Sequence, residues 1–197
     1  MSVKKNGGDS DIAKRRKEQV LEAAVECFKL QGFHKTSMSQ ISAAAGMSSG
    51  HIYHYFGSKE GIVEAIVARD RSQIETYISN VKSSMKTKNA VEALVDATLA
   101  DEQRFLDRGT AALKMEISAE VSRNASIAHL IQEYDKDVFQ DFYNILGGAS
   151  EDVISKCEII TSLLEGMAVR AVRNPAFGEA LDRDMLRKVI TFVLSET

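Results

Sequence analysis

The segment SMSQISAAAGMSSGHIYHYFGSK, residues 37–59, is predicted to form two short helices joined by a tight turn. Ser37 can cap the first helix, and Gln40 three residues later can complete a capping box. Gly46 ends that helix, because a residue without Cβ turns at low cost. Ser48 is then the natural cap of the second helix. The segment therefore predicts a helix–turn–helix unit.

The second of these helices divides into an inward and an outward face. The inward face carries the residues that can pack into a core: Ile52, Tyr55 and Phe56. The outward face carries small, hydroxyl-bearing and ring side chains: Ser49, Gly50, His51, Tyr53 and His54. A helix–turn–helix presents such a face of donors to the major groove of DNA. No catalytic partner stands near it in the sequence, so the pattern favours DNA binding.

Residues 45–62, AGMSSGHIYHYFGSKEGI, resemble the DNA-binding signature of the TetR family of transcriptional regulators. The matching positions are Ala45, Gly46, Ser48, Gly50, Tyr53, Tyr55, Phe56, Ser58, Lys59 and Glu60. Met47 and Ile62 are conservative departures from the family pattern. Ser49 stands where many members carry Lys or Arg, and His51 replaces a smaller residue.

The resemblance covers residues 13–62 and implies an all-α, TetR-like fold. Such a fold has an N-terminal helix–turn–helix DNA-binding domain and a C-terminal helical domain for ligand binding and dimerisation. We expect a disordered tail over residues 1–10 and the DNA-binding domain over 11–58. The ligand-binding and dimerisation domain should occupy residues 59–197, beginning with a connecting helix over 59–85.

The DNA-binding residues are expected on and around the second helix of the motif. Phosphates would be held by side chains flanking the groove: Thr36, Ser37, Tyr53, His54 and Lys59. Hydroxyls and amides at a helix N-terminus favour such contacts. Base edges would face Ser49, Gly50 and His51, with Ser48 beside them at the cap. For His51, a solvent-facing spacer is the open alternative.

The amino-acid composition is that of a helical globular protein. The chain has 197 residues, of which 44% are hydrophobic and 27% charged, as in an ordinary globular protein. A single Pro, no Trp and long periodic stretches favour an all-helical fold. Two Cys do not make a disulfide framework, and there is neither a signal peptide nor a membrane-spanning run, so we expect a cytoplasmic protein.

The charge is distributed unevenly along the chain. Residues 1–60 carry nine Lys and Arg against six Asp and Glu, whereas residues 61–197 carry sixteen against twenty-two. A basic N-terminal part on an acidic remainder suits a domain that meets DNA phosphates, although the excess is modest.

The C-terminal part is predicted to hold five helices, over residues 90–106, 109–121, 124–146, 151–173 and 182–195. The last two have apolar faces wider than a one-sided surface helix needs. Either the chain's own core or a four-helix seam with a second copy could cover them, and the family resemblance implies the second. The expected seam residues are Ile160, Leu163, Leu164, Met167, Leu186, Val189, Ile190 and Val193.

A small apolar or amphipathic effector would need a pocket in the same part of the chain. The candidates are flexible or aromatic apolar residues: Leu99, Phe105, Met115, Tyr134, Phe139 and Met167. Mutual packing within the core is the alternative reading for each of them.

The sequence carries no recognisable motif for catalysis or cofactor binding. The four histidines lack metal-ligand spacing, and there is no phosphate-binding glycine loop or nucleophile elbow. We therefore expect no catalytic residue, metal or cofactor. The leading hypothesis is a homodimeric repressor that binds a palindromic double-stranded DNA operator and is released by a small-molecule effector. The alternatives are an effector-free architectural or activating DNA-binding protein, and an enzymatic C-terminal domain.

Overall fold

The computed structural model describes residues 6–195 of the chain, and over these residues the secondary structure is entirely helical. The helices are α1 Asn6–Gln31, α2 Met38–Ala45, α3 Ser49–Phe56, α4 Lys59–Ser84, α5 Ala90–Ala100, α6 Gln103–Leu106, α7 Arg108–Val121, α8 Ala125–Ile145, α9 Glu151–Arg173, α10 Phe177–Ala180 and α11 Arg183–Ser195. Among the described helices, none is both long enough and apolar enough to cross a membrane.

Most predicted helices are confirmed, and α9 has the predicted bounds. The helix predicted over 90–106 is instead two helices, α5 and α6. The chain turns between them at Glu102, which is 9% exposed and accepts hydrogen bonds from Arg183 at 2.8 and 2.9 Å. Glu102 and Arg183 are 81 residues apart in the sequence, so no local pattern predicts this contact.

The start of α1 also differs from the prediction. Residues 6–10, expected in a disordered tail, belong to this helix, and residues 1–5 lie outside the described part of the chain. Once a helix has formed, each added residue costs little, and a glycine costs only about 1 kcal/mol relative to alanine. The two glycines at positions 7 and 8 therefore do not stop it.

The chain divides into two compact units that do not follow a single cut along the sequence. The first holds the chain up to Ala68 together with Glu116–Ala128, and the second holds Arg69–Met115 and the chain from His129. The helix–turn–helix thus shares its unit with the start of α4 and with the segment where α7 ends and α8 begins.

The first unit is built around the two predicted helices of the motif. Ser37 closes the capping box of α2, accepting from the Gln40 N–H at 3.2 Å and donating its own N–H to the Gln40 side chain at 2.7 Å. Gly46 ends α2 with φ +60°, the left-handed conformation that glycine adopts freely. The core of the first unit is formed by apolar side chains that are at most 1% exposed, among them Val20, Ala24, Phe28, Ile41, Ile52, Ile62 and Val63.

The second unit has its own core. The buried members from α4, α5, α8, α9 and α11 are Ile78, Val81, Ala93, Leu94, Val95, Ile145, Met167, Leu186, Ile190 and Leu194. Fully burying one such large side chain stabilises the fold by about 1.5–3 kcal/mol.

Candidate nucleic-acid interface and cavity

Helix α3 is anchored on one side and exposed on the other. Ile52 is fully buried, while Tyr55 and Phe56 are half-buried beside it. The predicted outward residues Gly50, His51, Tyr53 and His54 are exposed, Ser49 is half-buried, and the caps Ser37 and Ser48 are exposed. Such an arrangement leaves the N-terminal turns of α3 free to enter a groove.

Two residues predicted to hold phosphates are instead committed to the turn between α1 and α2. Thr36 is 1% exposed, and its hydroxyl lies 2.8 Å from the carbonyl oxygen of Gly32. Lys59 Nζ donates to the carbonyl oxygens of Phe33 at 2.6 Å and of Thr36 at 2.9 Å. The prediction needs correction here, because both side chains satisfy backbone and hydroxyl groups inside the unit.

The surroundings of Lys59 explain this role. Its ammonium lies 4.1 Å from the ring centroid of Phe33, a cation–π distance. Burial lowers the pKa of Lys59, although the carboxylates of Glu60 and Glu120 act in the opposite direction. Lys59 therefore ties the start of α4 to the turn that precedes α2.

Two glutamates of helix α7 also contact this turn. These contacts were not predicted from the sequence. Glu116 accepts the Phe33 N–H at 3.2 Å, and Glu120 Oε1 lies 3.0 Å from His34 Nε2. Glu120 is 2% exposed, and its second oxygen has no hydrogen-bond partner among the described residues. The turn and these carboxylates are more than 80 residues apart in sequence, so no local signal could have paired them.

Replacing Lys59 by methionine should destabilise the fold and leave the salt dependence of DNA binding unchanged. The two carbonyl oxygens would lose a charged donor, which costs about 2 kcal/mol of unfolding free energy. Denaturant unfolding followed by circular dichroism measures the change. Lys35→Met, at an exposed neighbouring position, is the matched control. Equal stability of the two variants would contradict the role given to Lys59.

The second unit contains a cavity of about 250 Å³. Its apolar lining comes mainly from Ile74, Tyr77, Leu94, Phe105, Val138, Phe139, Phe142, Ile160, Leu164 and Leu194. Three predicted pocket residues, Phe105, Tyr134 and Phe139, line it. Three others do not, since Met167 is buried in the core, Met115 is 41% exposed, and Leu99 packs against the core.

The polar part of the cavity lining includes Arg104, Lys114 and Tyr134, which all contact the carboxylate of Asp70, a residue outside the lining. Asp70 accepts from Arg104 Nη2 at 2.8 Å and from the Tyr134 hydroxyl, and Lys114 Nζ lies 3.6 Å away. Burial, with the nearby Asp70 carboxylate, raises the pKa of Tyr134, so this hydroxyl stays a neutral donor. A mostly apolar cavity with a few fixed polar groups is the usual form of a small-molecule site.

Cys157 also lines the cavity, and its free thiol is buried. Burial raises the pKa of its thiol to about 11, which keeps it protonated at neutral pH. Among the residues described, no cluster of His, Cys, Asp and Glu is arranged to hold a metal ion.

Comparison with known proteins agrees with the helix–turn–helix geometry. The family model described as bacterial regulatory proteins of the tetR family matches residues 20–66. Residues 20–66 are therefore a TetR-family DNA-binding domain. A similar protein is the HTH-type transcriptional regulator UidR of Escherichia coli K12, which is 26% identical over 170 residues, covering 86% of this chain and 82% of UidR. Over most of its length the chain is thus similar to a protein named as a transcriptional regulator.

Solved structures confirm the all-helical TetR-like fold. Salmonella enterica GusR is 27% identical and superposes with a TM-score of 0.73, covering 92% of this chain and 96% of GusR. FadR from Bacillus subtilis, solved in complex with stearoyl-CoA, gives a TM-score of 0.69 over 90% of this chain and 96% of its own. At 23% identity, FadR shows likeness of fold alone.

The predicted dimer seam needs a second correction. Met167, Leu186 and Ile190 are at most 7% exposed and lie in the chain's own core. Ile160, Leu163 and Leu164 are half-buried against the same core, and Val193 is half-buried. Of the predicted residues, only Val189 is exposed, at 39%.

A second set of apolar residues, which shares only Val189 with the predicted seam, is exposed on the same two helices. Ile159 on α9 and Met185, Val189 and Phe192 on α11 are 39–65% exposed. Met185, Val189 and Phe192 are spaced i, i+4 and i+7, so they share one face of α11. We call these four residues the α9–α11 face. Both helices therefore carry apolar residues on two sides, one packed against the core and one exposed to solvent.

Proposed function

We propose that this TetR-family regulator is a repressor that binds a pseudo-palindromic operator as a homodimer and is released by a small-molecule effector. The observation that carries the proposal is the pairing of an anchored, outward-facing α3 with an aromatic-lined cavity elsewhere in the same chain. A DNA-binding element alone needs no cavity, and a binding module alone needs no exposed recognition helix.

The DNA contacts follow from exposure and position. Ser37, Tyr53 and His54 are exposed and can hold phosphates on either side of the groove. Ser49, Gly50 and His51, in the first turn of α3, face the base edges, and Gly50 allows the backbone to come close. Exposed basic residues of α1 add steering towards the duplex: Lys14, Arg15, Arg16 and Lys17.

The α9–α11 face is the proposed dimer interface. Exposed large apolar residues grouped on adjacent helices mark an interaction surface, and a palindromic operator requires two-fold symmetry in the protein that reads it. Phe192, 65% exposed, is the largest anchor this face offers. The observations that support the proposal are the exposure of the four residues and the common spacing of the three on α11.

The proposed effector is a small apolar or amphipathic molecule. Aromatic and aliphatic walls suit its apolar part, and the lining residues Arg104, Lys114 and Tyr134 suit a polar end. The stearoyl-CoA bound by the structurally similar FadR is an amphipathic molecule, which supports this class of ligand. The effector would act by preferring the dimer geometry that does not fit the operator.

Effector and operator should weaken each other's binding by the same factor. A hundredfold preference of the effector for the non-binding geometry supplies about 2.7 kcal/mol, and linkage makes the effect reciprocal. Candidate effectors come from a thermal-shift screen of fatty acids, acyl-CoA thioesters and other metabolites, since a bound ligand raises the melting temperature. Calorimetric titration of the hit into free protein and into the protein–DNA complex then measures the factor.

Equal affinity of the hit for both forms would contradict effector-controlled release. It would favour an architectural or activating DNA-binding protein whose C-terminal unit serves only assembly. A screen without any hit would favour the same alternative.

A further inference from the structure

His51 and the helix cap Ser48 form a hydrogen-bonded pair at the exposed end of α3. Ser48 Oγ accepts the backbone N–H of His51 at 3.4 Å and lies 3.1 Å from His51 Nδ1. A serine hydroxyl has one proton to donate and two lone pairs to accept with. Because the backbone N–H occupies a lone pair, the hydroxyl proton remains available for the imidazole.

The direction of the hydrogen bond between Ser48 Oγ and His51 Nδ1 determines the tautomer of the ring. When the Ser48 hydroxyl donates to Nδ1, that nitrogen is the unprotonated acceptor of a neutral imidazole, and the proton sits on Nε2. His51 is exposed, and Nε2 has no hydrogen-bond partner within the described part of the chain. With Ser48 as the donor, the pair presents one free N–H donor from the first turn of α3.

We propose that Ser48 fixes His51 as a hydrogen-bond donor, and that His51 determines specificity by donating from Nε2 to guanine in the major groove. This inference rests on the proposed function, in which α3 enters that groove. The inference adds that His51 is the donor of the hydrogen bond and that guanine is the base selected. Ser48 acts through His51 and is a positioning residue.

The choice of guanine follows from the edges of the base pairs. Guanine offers two adjacent acceptors, N7 and O6, whereas cytosine offers only the donor N4. Adenine pairs its N7 acceptor with a neighbouring N6 donor, which repels a second donor, and thymine places a methyl group beside O4. A single donor is therefore best satisfied at guanine and is rejected by cytosine.

The tautomer can be measured without DNA. Long-range ¹H–¹⁵N spectra of the full chain, recorded at mildly alkaline pH where imidazole is neutral, distinguish protonated from bare ring nitrogens. We expect the His51 proton on Nε2. In Ser48→Asp, the carboxylate still caps the helix but can only accept, so the proton should move to Nδ1. A wild-type proton on Nδ1, or no change in Ser48→Asp, would overturn the role of Ser48.

The base preference is measured by selection from random duplex DNA with the full-length protein at the same pH. The wild type should enrich guanine at one position of each half-site, and His51→Ala should lose the preference there while keeping the others. Replacing that guanine by 7-deazaguanine or by 2-aminopurine, which lack N7 and O6 respectively, should lower wild-type affinity about tenfold for at least one of the two. The same replacements should leave the affinity of His51→Ala unchanged.

The outcomes distinguish a failure of the role of His51 from a failure of the proposed function. Enrichment of a site with the same base preferences for the wild type and His51→Ala would overturn the role of His51 while the proposed function stands. Failure to enrich any sequence would overturn the proposed function and the base contact that rests on it.

Discussion

Gly61→Ala should abolish operator binding, although it adds only one methyl group. Gly61 lies in the first turn of α4, and a Cβ built there would lie 2.0 Å from the carbonyl oxygen of Phe56, the last residue of α3. No side-chain rotation relieves a clash with backbone, so α3 and α4 must separate. We expect a loss of about 2–4 kcal/mol in unfolding free energy, comparable to severe overpacking, and loss of specific DNA binding.

The expected loss of stability in Gly61→Ala is informative, because alanine ordinarily stabilises a helix by about 0.5–1 kcal/mol relative to glycine. Gly50→Ala is the matched comparison, since a Cβ there meets nothing within 4 Å. That variant should gain stability and still bind DNA more weakly, because its methyl group enters the groove. Chemical unfolding and DNA-binding titrations measure both quantities. Wild-type stability in Gly61→Ala would show that α3 is not held where the structure places it.

Phe192→Asp should convert the proposed homodimer into monomers. Two-fold symmetry places the substitution on both copies, and an unpaired charge buried in an apolar interface costs several kcal/mol. We expect the dissociation constant of the dimer to rise by about a thousandfold or more, which corresponds to about 4 kcal/mol. Sedimentation velocity at micromolar protein measures the change.

Leu30→Asp is the control for this substitution. Leu30 on α1 is 79% exposed and lies outside the α9–α11 face, so its replacement should leave the dimer intact. A charge at Leu164 would be a poorer test, because that side chain lines the cavity and packs against the core. A Phe192→Asp variant that remains dimeric would place the interface on another surface.

The helix–turn–helix was predictable because its signals are local. Ser37 with Gln40, Gly46 and Ser48 specify two caps and a turn within a dozen residues, and the structure has each of them. The apolar periodicity of α9 likewise predicted its bounds. Caps and periodicity depend on neighbours along one helix, which the sequence displays directly.

The errors concern residues whose partners are distant in sequence. Lys59 carries the charge expected of a phosphate ligand, but its partners are carbonyl oxygens 23 and 26 residues away. Glu116 and Glu120 look like solvated helix positions, yet they bond the turn that precedes α2. For the last two helices, periodicity revealed the width of the apolar face but not which side of it the core covers.

Selection of binding sites by the unmodified full-length protein tests the central claim most directly. A dimer that reads DNA through two α3 helices should enrich an inverted repeat whose half-site centres lie about 34–36 Å apart, or a multiple of that. The selected duplex should bind one dimer or a whole number of dimers in sedimentation experiments. Enrichment of a single unrepeated site, or of no sequence, would contradict a dimeric repressor.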